Sequence, residues 1–246
     1  MTRGRSGNGK GPVASLDPNR PTPRRIYIMV GAPGAGKGTQ AQLIAQALGL
    51  PHIASGDLFR AALQADEALG REARRYMEKG ALVPDDVTVR MIADRLAQPD
   101  ATAGAILDGF PRTVAQAIAL DTLLARRSER VSAVLYIAVS ETELMRRLSG
   151  RWVCTGRQQH VFNEMLRPPK VPGICDIDGT KLQQRPDDQP KTIRARLDKQ
   201  LPPMYEVIDH YNELGLLMAI PGEQPVEEVT AALLASISRG TPVAVR

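Results

Sequence analysis

The sequence predicts an α/β fold: a P-loop core on a five-stranded parallel sheet, interrupted by a helical insert and a long second insert. Three observations carry this. Short apolar runs alternate with helix-period segments, the pattern of a parallel sheet covered by helices. The first apolar run passes into a glycine-rich loop and then a helical segment. Two stretches, residues 55–84 and 150–188, break the alternation.

Taken in order, residues 1–24 read as a basic tail. Six cations (Arg3, Arg5, Lys10, Arg20, Arg24 and Arg25) face only Asp17 in the first 25 residues. The whole formal charge of +5 therefore resides there, and the rest of the chain is neutral. Rich in Gly, Pro and Asn and without apolar periodicity, the tail is expected to be disordered. It lacks the apolar run of a secretory signal. Its Arg-rich, acid-poor composition suits an organelle leader, but with little amphipathic pattern a solvated leader is the simpler expectation.

A neutral folded part offers no basic face for nucleic acid. No run approaches the roughly 20 apolar residues of a membrane span. The two cysteines, Cys154 and Cys175, form no disulfide framework and suit a reducing compartment. The expectation is a cytoplasmic monomer with neither nucleic-acid nor membrane partners.

Strands are predicted at residues 26–30, 52–54, 105–107, 134–139 and 216–220. The core accordingly comprises 25–54, 85–149 and 189–246. A helix over 39–48 is ended by Gly49 and Pro51. Ser140 with Glu143 forms a capping box that opens a helix to about residue 149. Within 55–84 only helical patterns occur, at 57–65 and 72–79. Within 150–188, Pro168, Pro169, Pro172, Pro186 and several glycines leave hardly any helical period, so an irregular, hairpin-built insert is expected.

The loop after the first strand reads Gly-Ala-Pro-Gly-Ala-Gly-Lys-Gly-Thr over residues 31–39. Glycines let the backbone curl with its N–H groups inward around phosphates, and the following helix adds its dipole. Lys37 supplies a mobile charge for the β- and γ-phosphates. Gly38 stands where Ser or Thr normally holds Mg²⁺, and Thr39 follows it: Thr39 either serves the metal or only begins the helix.

This loop, including the Gly after the Lys, resembles that of the adenylate kinase family. The resemblance continues through Ser-Gly-Asp-Leu-Phe-Arg at 55–60, Leu-Val-Pro-Asp-Asp at 82–86 and Leu-Asp-Gly-Phe-Pro-Arg-Thr at 107–113. It ends with Arg-Leu-Ser-Gly-Arg at 147–151, Gln-Arg-Pro-Asp-Asp at 184–188 and Arg194-Ala-Arg196. It implies an AMP-binding insert at 55–84, a mobile lid at 150–188 and the reaction ATP + AMP = 2 ADP with Mg²⁺.

By resemblance, Gly34, Ala35, Gly36, Lys37, Gly38 and Thr39 bind ATP with Arg147 and Arg151 from the lid root. Ser55, Arg60, the backbone of Ala81, Leu82 and Val83, the turn Gly109, Phe110, Pro111 and Arg112, and Gln116 surround AMP. Arg185 and Arg196 complete the cage, and Asp108 holds Mg²⁺ through water. The catalytic set implied is Lys37, Asp108, Arg112, Arg151, Arg185 and Arg196. Arginine suits phosphoryl transfer because it stays charged and bonds phosphate bidentately. No general base is required.

Some of these residues have purely local explanations. Asp57 can cap the helix after Gly56. Thr113 and Gln116 form a capping box, which explains the Gln without a substrate, whereas the family's Gln reads adenine. Asp108 has the alternative of merely bracing its loop. His52, in a strand, and His210, in a helix beside Tyr205 and Tyr211, are expected to be structural.

Zinc-bearing relatives carry two Cys-x2-Cys knuckles in the lid. Here the second survives as Cys175-Asp-Ile-Asp178 and the first is broken, with Arg157 three residues after Cys154. His160 stands close enough to complete a zinc set of Cys154, His160, Cys175 and Asp178. The alternative is a lid held by hydrogen bonds with two leftover thiols.

Three other functions compete. A UMP/CMP kinase shares the loop and arginines but has a short lid. A nucleic-acid-binding ATPase wants a charged folded face. A non-catalytic adaptor is expected to lose Lys37 or several arginines, all of which are present.

Overall fold

A computed structural model describes residues 24–65, 68–79, 81–156, 160–185 and 188–240. The expected tail lies outside these residues except for Arg24, and Arg157 and Pro186 also lie outside them.

The core sheet contains all five predicted strands: β1 (Arg25–Val30), β2 (His52–Ala54), β3 (Gly104–Asp108), β4 (Val131–Ala138) and β8 (Leu217–Pro221). Their order is β2-β3-β1-β4-β8, and every pairing is parallel. Central parallel strands are covered on both faces, so their apolar runs are continuous rather than alternating. Ile26, Ile28, Ile106, Leu107 and Val134 are completely buried. Around the sheet lie α1 (Lys37–Leu48), α4 (Asp85–Leu96), α5 (Val114–Ala125), α6 (Glu141–Ser149), α7 (Pro190–Glu213) and α8 (Val226–Arg239). The chain leaves β1 toward β2 on one side and β4 lies on the other. This order places a crevice beyond the carboxyl end of β1, where ligands of open α/β sheets bind.

The first insert is helical, as expected, with α2 (Ser55–Gln64) and α3 (Ala68–Met77). Phe59, Ala73 and Val83 form a small apolar cluster with Val87 of α4. Both helices start earlier than their apolar periods suggest. Helix α2 begins at Ser55, so Asp57 lies inside the first turn and pairs with Arg60 instead of capping.

The second insert is hairpin-built. β5 (Arg151–Cys154), β6 (Val161–Asn163) and β7 (Leu182–Gln183) form an antiparallel sheet in the order β6-β5-β7. Its private core is Cys154, Phe162, Cys175 and Leu182.

The capping box predicted at α6 does not form. Ser140 is the N-cap residue, but its side chain makes no cap bond, and its N–H donates to Glu223 Oε1 at 2.8 Å. Glu143 turns instead to Arg146 and Arg147, whose charges and hydrogen bonds outbid one backbone N–H. At α5 the box is half formed. Thr113 Oγ1 accepts from Gln116 N at 3.2 Å, but the Gln116 side chain accepts from Arg112 N at 2.8 Å, one residue earlier than the motif requires. His210, in α7, reaches Asp121 of α5 at 3.1 Å and sets its ring edge against Tyr211.

Arg24 is bound to the core. Its guanidinium donates to the carbonyls of Leu96 at 2.5 Å and Ala101 at 2.9 Å, and approaches Glu129 at 3.4 Å. Leu96 ends α4, so this cation satisfies a carbonyl that the helix leaves open and meets the negative end of its dipole. Only 6% of the side chain is exposed. Arg24→Ala should therefore lower stability by about 2 kcal/mol, the worth of buried charged hydrogen bonds. Urea unfolding checks this, with a chain beginning at residue 24 keeping the full-length midpoint.

Candidate active site

The phosphate loop connects β1 to α1. Gly34 has φ +87 and lies against α6, where a Cβ would meet the Leu148 side chain at 2.8 Å, so glycine is required on both counts. No described side chain caps α1. Its first N–H groups are thus directed into the loop that Gly36 opens, a ready cradle for an anion. Lys37 Nζ donates to the carbonyl of Ala32 at 2.9 Å, folding back across the loop.

Burial lowers the Lys37 pKa from 10.5 to about 8; Asp108 opposes this, while the charges of Arg112, Arg196 and Arg151 lower it further. Four of the five cations in the expected catalytic set thus feel one another's fields. Asp108 ends β3. Burial pushes its carboxyl upward, but His52, Lys37 and Arg112 more than compensate and hold it below the ordinary value. His52 Nε2 lies 3.3 Å from Asp108 Oδ2. A Cβ at Gly38 would come within 3.3 Å of the same oxygen, so the glycine in place of Ser or Thr leaves Asp108 its room.

The arginines have protein partners. Arg151 grips Asp188 with two bonds, Nε to Oδ2 at 2.7 Å and Nη2 to Oδ1 at 2.5 Å, and Arg196 Nη1 reaches Asp188 Oδ1 at 3.0 Å. The Asp188 side chain is completely buried. Arg112 donates from Nε to the carbonyl of Gly109 at 2.7 Å and from Nη1 to Gln200 Oε1 at 3.3 Å. Arg147 bonds Glu143 at 2.7 Å and the carbonyls of Gly222 at 2.9 Å and Ala35 at 3.5 Å, tying α6 to the phosphate loop. Arg185 lies between β7 and α7 with its Nε buried. Arg60 stays on α2, held by Asp57; its buried Nε has no hydrogen-bond partner among the described residues. Orphaned buried donors are rare, and this one suits an anionic guest.

Across the cleft, Ser55 Oγ donates to the carbonyl of Gly109 at 2.6 Å. Gly109 has φ +70, and a Cβ there would strike Arg112 Nη2 at 2.7 Å. The turn continues through the cis peptide between Phe110 and Pro111. Gly31, Lys37, Leu82, Gly109, Pro111, Arg112, Arg196 and Gln200 line one cavity, so residues expected to serve two different nucleotides face a common space. Gln116 donates to Asp85 Oδ1 at 2.7 Å.

In the lid, Cys154, His160, Cys175 and Asp178 bring one ligand atom each within 4.8 Å of all the others. Cys154 Sγ lies 3.5 Å from both His160 Nδ1 and Asp178 Oδ2; Cys175 Sγ lies 3.4 Å from His160 Nδ1. Tetrahedral bonds of 2.0–2.3 Å place ligand atoms roughly 3.3–3.8 Å apart, the spacing of these three pairs. Burial pushes the Cys175 thiol up, a penalty that a cation removes. Asp178 is held low, chiefly by the Thr180 hydroxyl.

The adenylate kinase family model matches residues 29–216. This chain belongs to the adenylate kinase family. It is 46% identical over 212 residues to the adenylate kinase of Streptomyces avermitilis, covering 86% of this chain and 96% of that one. It is 49% identical over 210 residues to the adenylate kinase of Acidothermus cellulolyticus (85% and 96%), and 47% identical over 206 residues to that of Staphylococcus aureus (82% and 94%). Family membership makes the chain a nucleoside monophosphate kinase, a phosphotransferase. No helix among the described residues is long and apolar enough to cross a membrane.

Sequence reasoning missed four residues that the fold brings to this site: Asp85, Asp188 and Gln200, and His52 as the partner of Asp108. Asp85 and Asp188 stood inside quoted motifs, which was the available signal. Gln200 carried none.

Lys37 yields a signed pH prediction. A Lys whose folded pKa lies below its ordinary value costs stability wherever the unfolded chain is protonated. The cost is full below about pH 8 and disappears as pH rises toward 10.5. Bound phosphates restore the charge, so binding draws in a proton. At pH 8.5, ATP should bind with uptake of roughly 0.7 proton, falling close to zero in Lys37→Met. Calorimetric titration in two buffers of different ionisation enthalpy measures it.

Proposed function

We propose that this chain transfers a phosphoryl group reversibly between ATP and AMP, giving two ADP. The observation that supports it best is the convergence of Asp108, Arg112, Arg151 and Arg196 on Lys37 of the phosphate loop, with Lys37, Arg112 and Arg196 lining one cavity. Phosphoryl transfer places negative charge on the oxygens of the moving group, and fixed cations in a water-poor cleft stabilise it without reorganising.

In this reading, residues 34–39 and the N-terminus of α1 hold the ATP phosphates, with Lys37 on the transferring group. Arg60 and Arg112 hold the AMP phosphate. Arg151, released from Asp188, swings onto ATP as the lid descends, while Arg185 and Arg196 cover the space between. Closure excludes the water that would otherwise accept the phosphoryl group. Ser55, with its proton engaged by Gly109, contributes a lone pair near the nucleoside. The backbone of residues 81–83 closes over AMP, and Gln116 reads its base. Asp108, through water, and Thr39 would hold Mg²⁺, which would neutralise phosphate charge. The long lid argues against UMP and CMP as preferred acceptors.

A coupled assay with ATP and each of AMP, CMP, UMP and GMP tests the reading, AMP being the expected acceptor by a wide margin. Lys37→Met should retain the fold and lose about three orders of magnitude in turnover, the scale for removing a charge that acts on the transition state. A folded variant with near-normal turnover would sink the assignment.

We further propose that Cys154, His160, Cys175 and Asp178 hold a structural zinc. The lid sheet is small and two of its four core residues are these cysteines, so a metal supplies the cohesion that apolar burial cannot. Protein purified without chelator should carry about one zinc per chain, and chelation should lower the melting temperature. Metal below about 0.2 per chain, with melting unaffected by chelator, rejects the site.

A further inference from the structure

The amide of Gln116 is clamped at both ends. Its Nε2 donates to Asp85 Oδ1 at 2.7 Å, and its Oε1 accepts from the backbone N–H of Arg112 at 2.8 Å. A carboxylate only accepts and a backbone N–H only donates, so these partners fix which end of the amide is nitrogen and which is oxygen. Asp85 is itself steadied. The Thr113 hydroxyl donates to its Oδ2 at 3.0 Å while accepting from Gln116 N. Asp85 opens α4, two residues after Val83, and Gln116 is 1% exposed at the start of α5.

The clamps use one hydrogen of Nε2 and one lone pair of Oε1. In the reading that Gln116 faces the base, the other hydrogen and lone pair form a donor–acceptor edge of fixed polarity. Adenine offers the complement of such an edge: a ring nitrogen that accepts beside an exocyclic amino group that donates. Hypoxanthine and guanine offer the reverse, a ring N–H beside a carbonyl. To pair with those, the amide must turn over, which sets its oxygen against the Asp85 carboxylate and its NH₂ against the Arg112 N–H.

We propose that Asp85 is a positioning residue for base specificity: by fixing the polarity of the Gln116 amide it makes the acceptor site select a 6-amino purine over a 6-oxo purine. The proposal rests on the reading that Gln116 faces the base of AMP. Asp85 itself touches no substrate. Its replacement by an amide of the same shape removes half of the clamp, since the new NH₂ can donate to a turned-over Gln116.

The experiment measures kcat/KM for AMP and for IMP, which differ at this edge, in wild type, Asp85→Asn and Gln116→Ala. Wild type should prefer AMP strongly. Asp85→Asn should cut the AMP-to-IMP preference about tenfold, chiefly through KM, the Arg112 N–H retaining the remainder. Thr113→Val, which removes the support of Asp85, should move the ratio in the same direction and serves if Asp85→Asn does not fold. An unchanged ratio in these variants, or equal losses for both substrates, overturns the proposal. A wild type that does not prefer AMP, or a Gln116→Ala that keeps the preference, overturns the underlying reading instead.

Discussion

Concentrated positive charge in the central cleft is the constraint that the rest of this structure answers. Lys37, Arg112, Arg151 and Arg196 stand within reach of one another's fields. Two such charges at 4 Å in partly buried surroundings repel by about 4 kcal/mol. Arginine cannot escape by losing its proton, whereas lysine can. Lys37 is the group whose pKa yields, chiefly through its burial and further through the arginine charges. Two buried carboxylates do the rest: Asp108 at the end of β3 faces Lys37, and Asp188 just before α7 holds Arg151 and Arg196 together. Breaking such a buried pair by removing one partner is strongly destabilising, so the carboxylates belong to the site as much as the cations do. In the proposed reading, substrate phosphates would offer the arginines a second set of anions, so that binding exchanges partners rather than creating order among bare charges.

The sheet order makes this gathering possible. Since β1 lies between β3 and β4, the phosphate loop after β1 and the Asp108 turn after β3 emerge side by side. The helical insert leaves from β2, next to β3, and the lid leaves from α6, whose Arg147 is anchored to the phosphate loop through Ala35. The second insert carries a small apolar core of its own, whereas the cluster of the first includes Val87 of α4 and shares Met91 with the core of the sheet. A body with its own core can rotate about its root without disturbing its neighbour's packing, as closure in the proposed reading requires.

Much of this was legible in the sequence wherever one short stretch carries both the structure and the chemistry. The phosphate loop, the five strands and the hairpin character of the lid follow from local pattern. So does the Cys154, His160, Cys175 and Asp178 set, because two hairpins bring near neighbours together. What stayed hidden depends on pairs distant in sequence. Asp188 lies 37 residues from Arg151, and His52 lies 56 from Asp108. The box at Thr113 and Gln116 shows the same lesson at short range: the pattern was present, but Arg112 and Asp85 compete for the Gln116 side chain and win it. Helix starts shifted for a related reason, since the first turn of α2 is set by its packing into the core rather than by the cap that Asp57 advertised.

The lid core consists of four buried side chains, two of them thiols. So small a core contributes only a few kcal/mol, well below what a whole domain of this size commands. In the proposed reading, a lid with so small a core would melt and reform as a unit while the parallel sheet stays intact. Its amides should exchange with solvent long before those of β1, and a zinc at the proposed site would set how often it opens. Heating would then remove the enzyme's cover before it removes its fold.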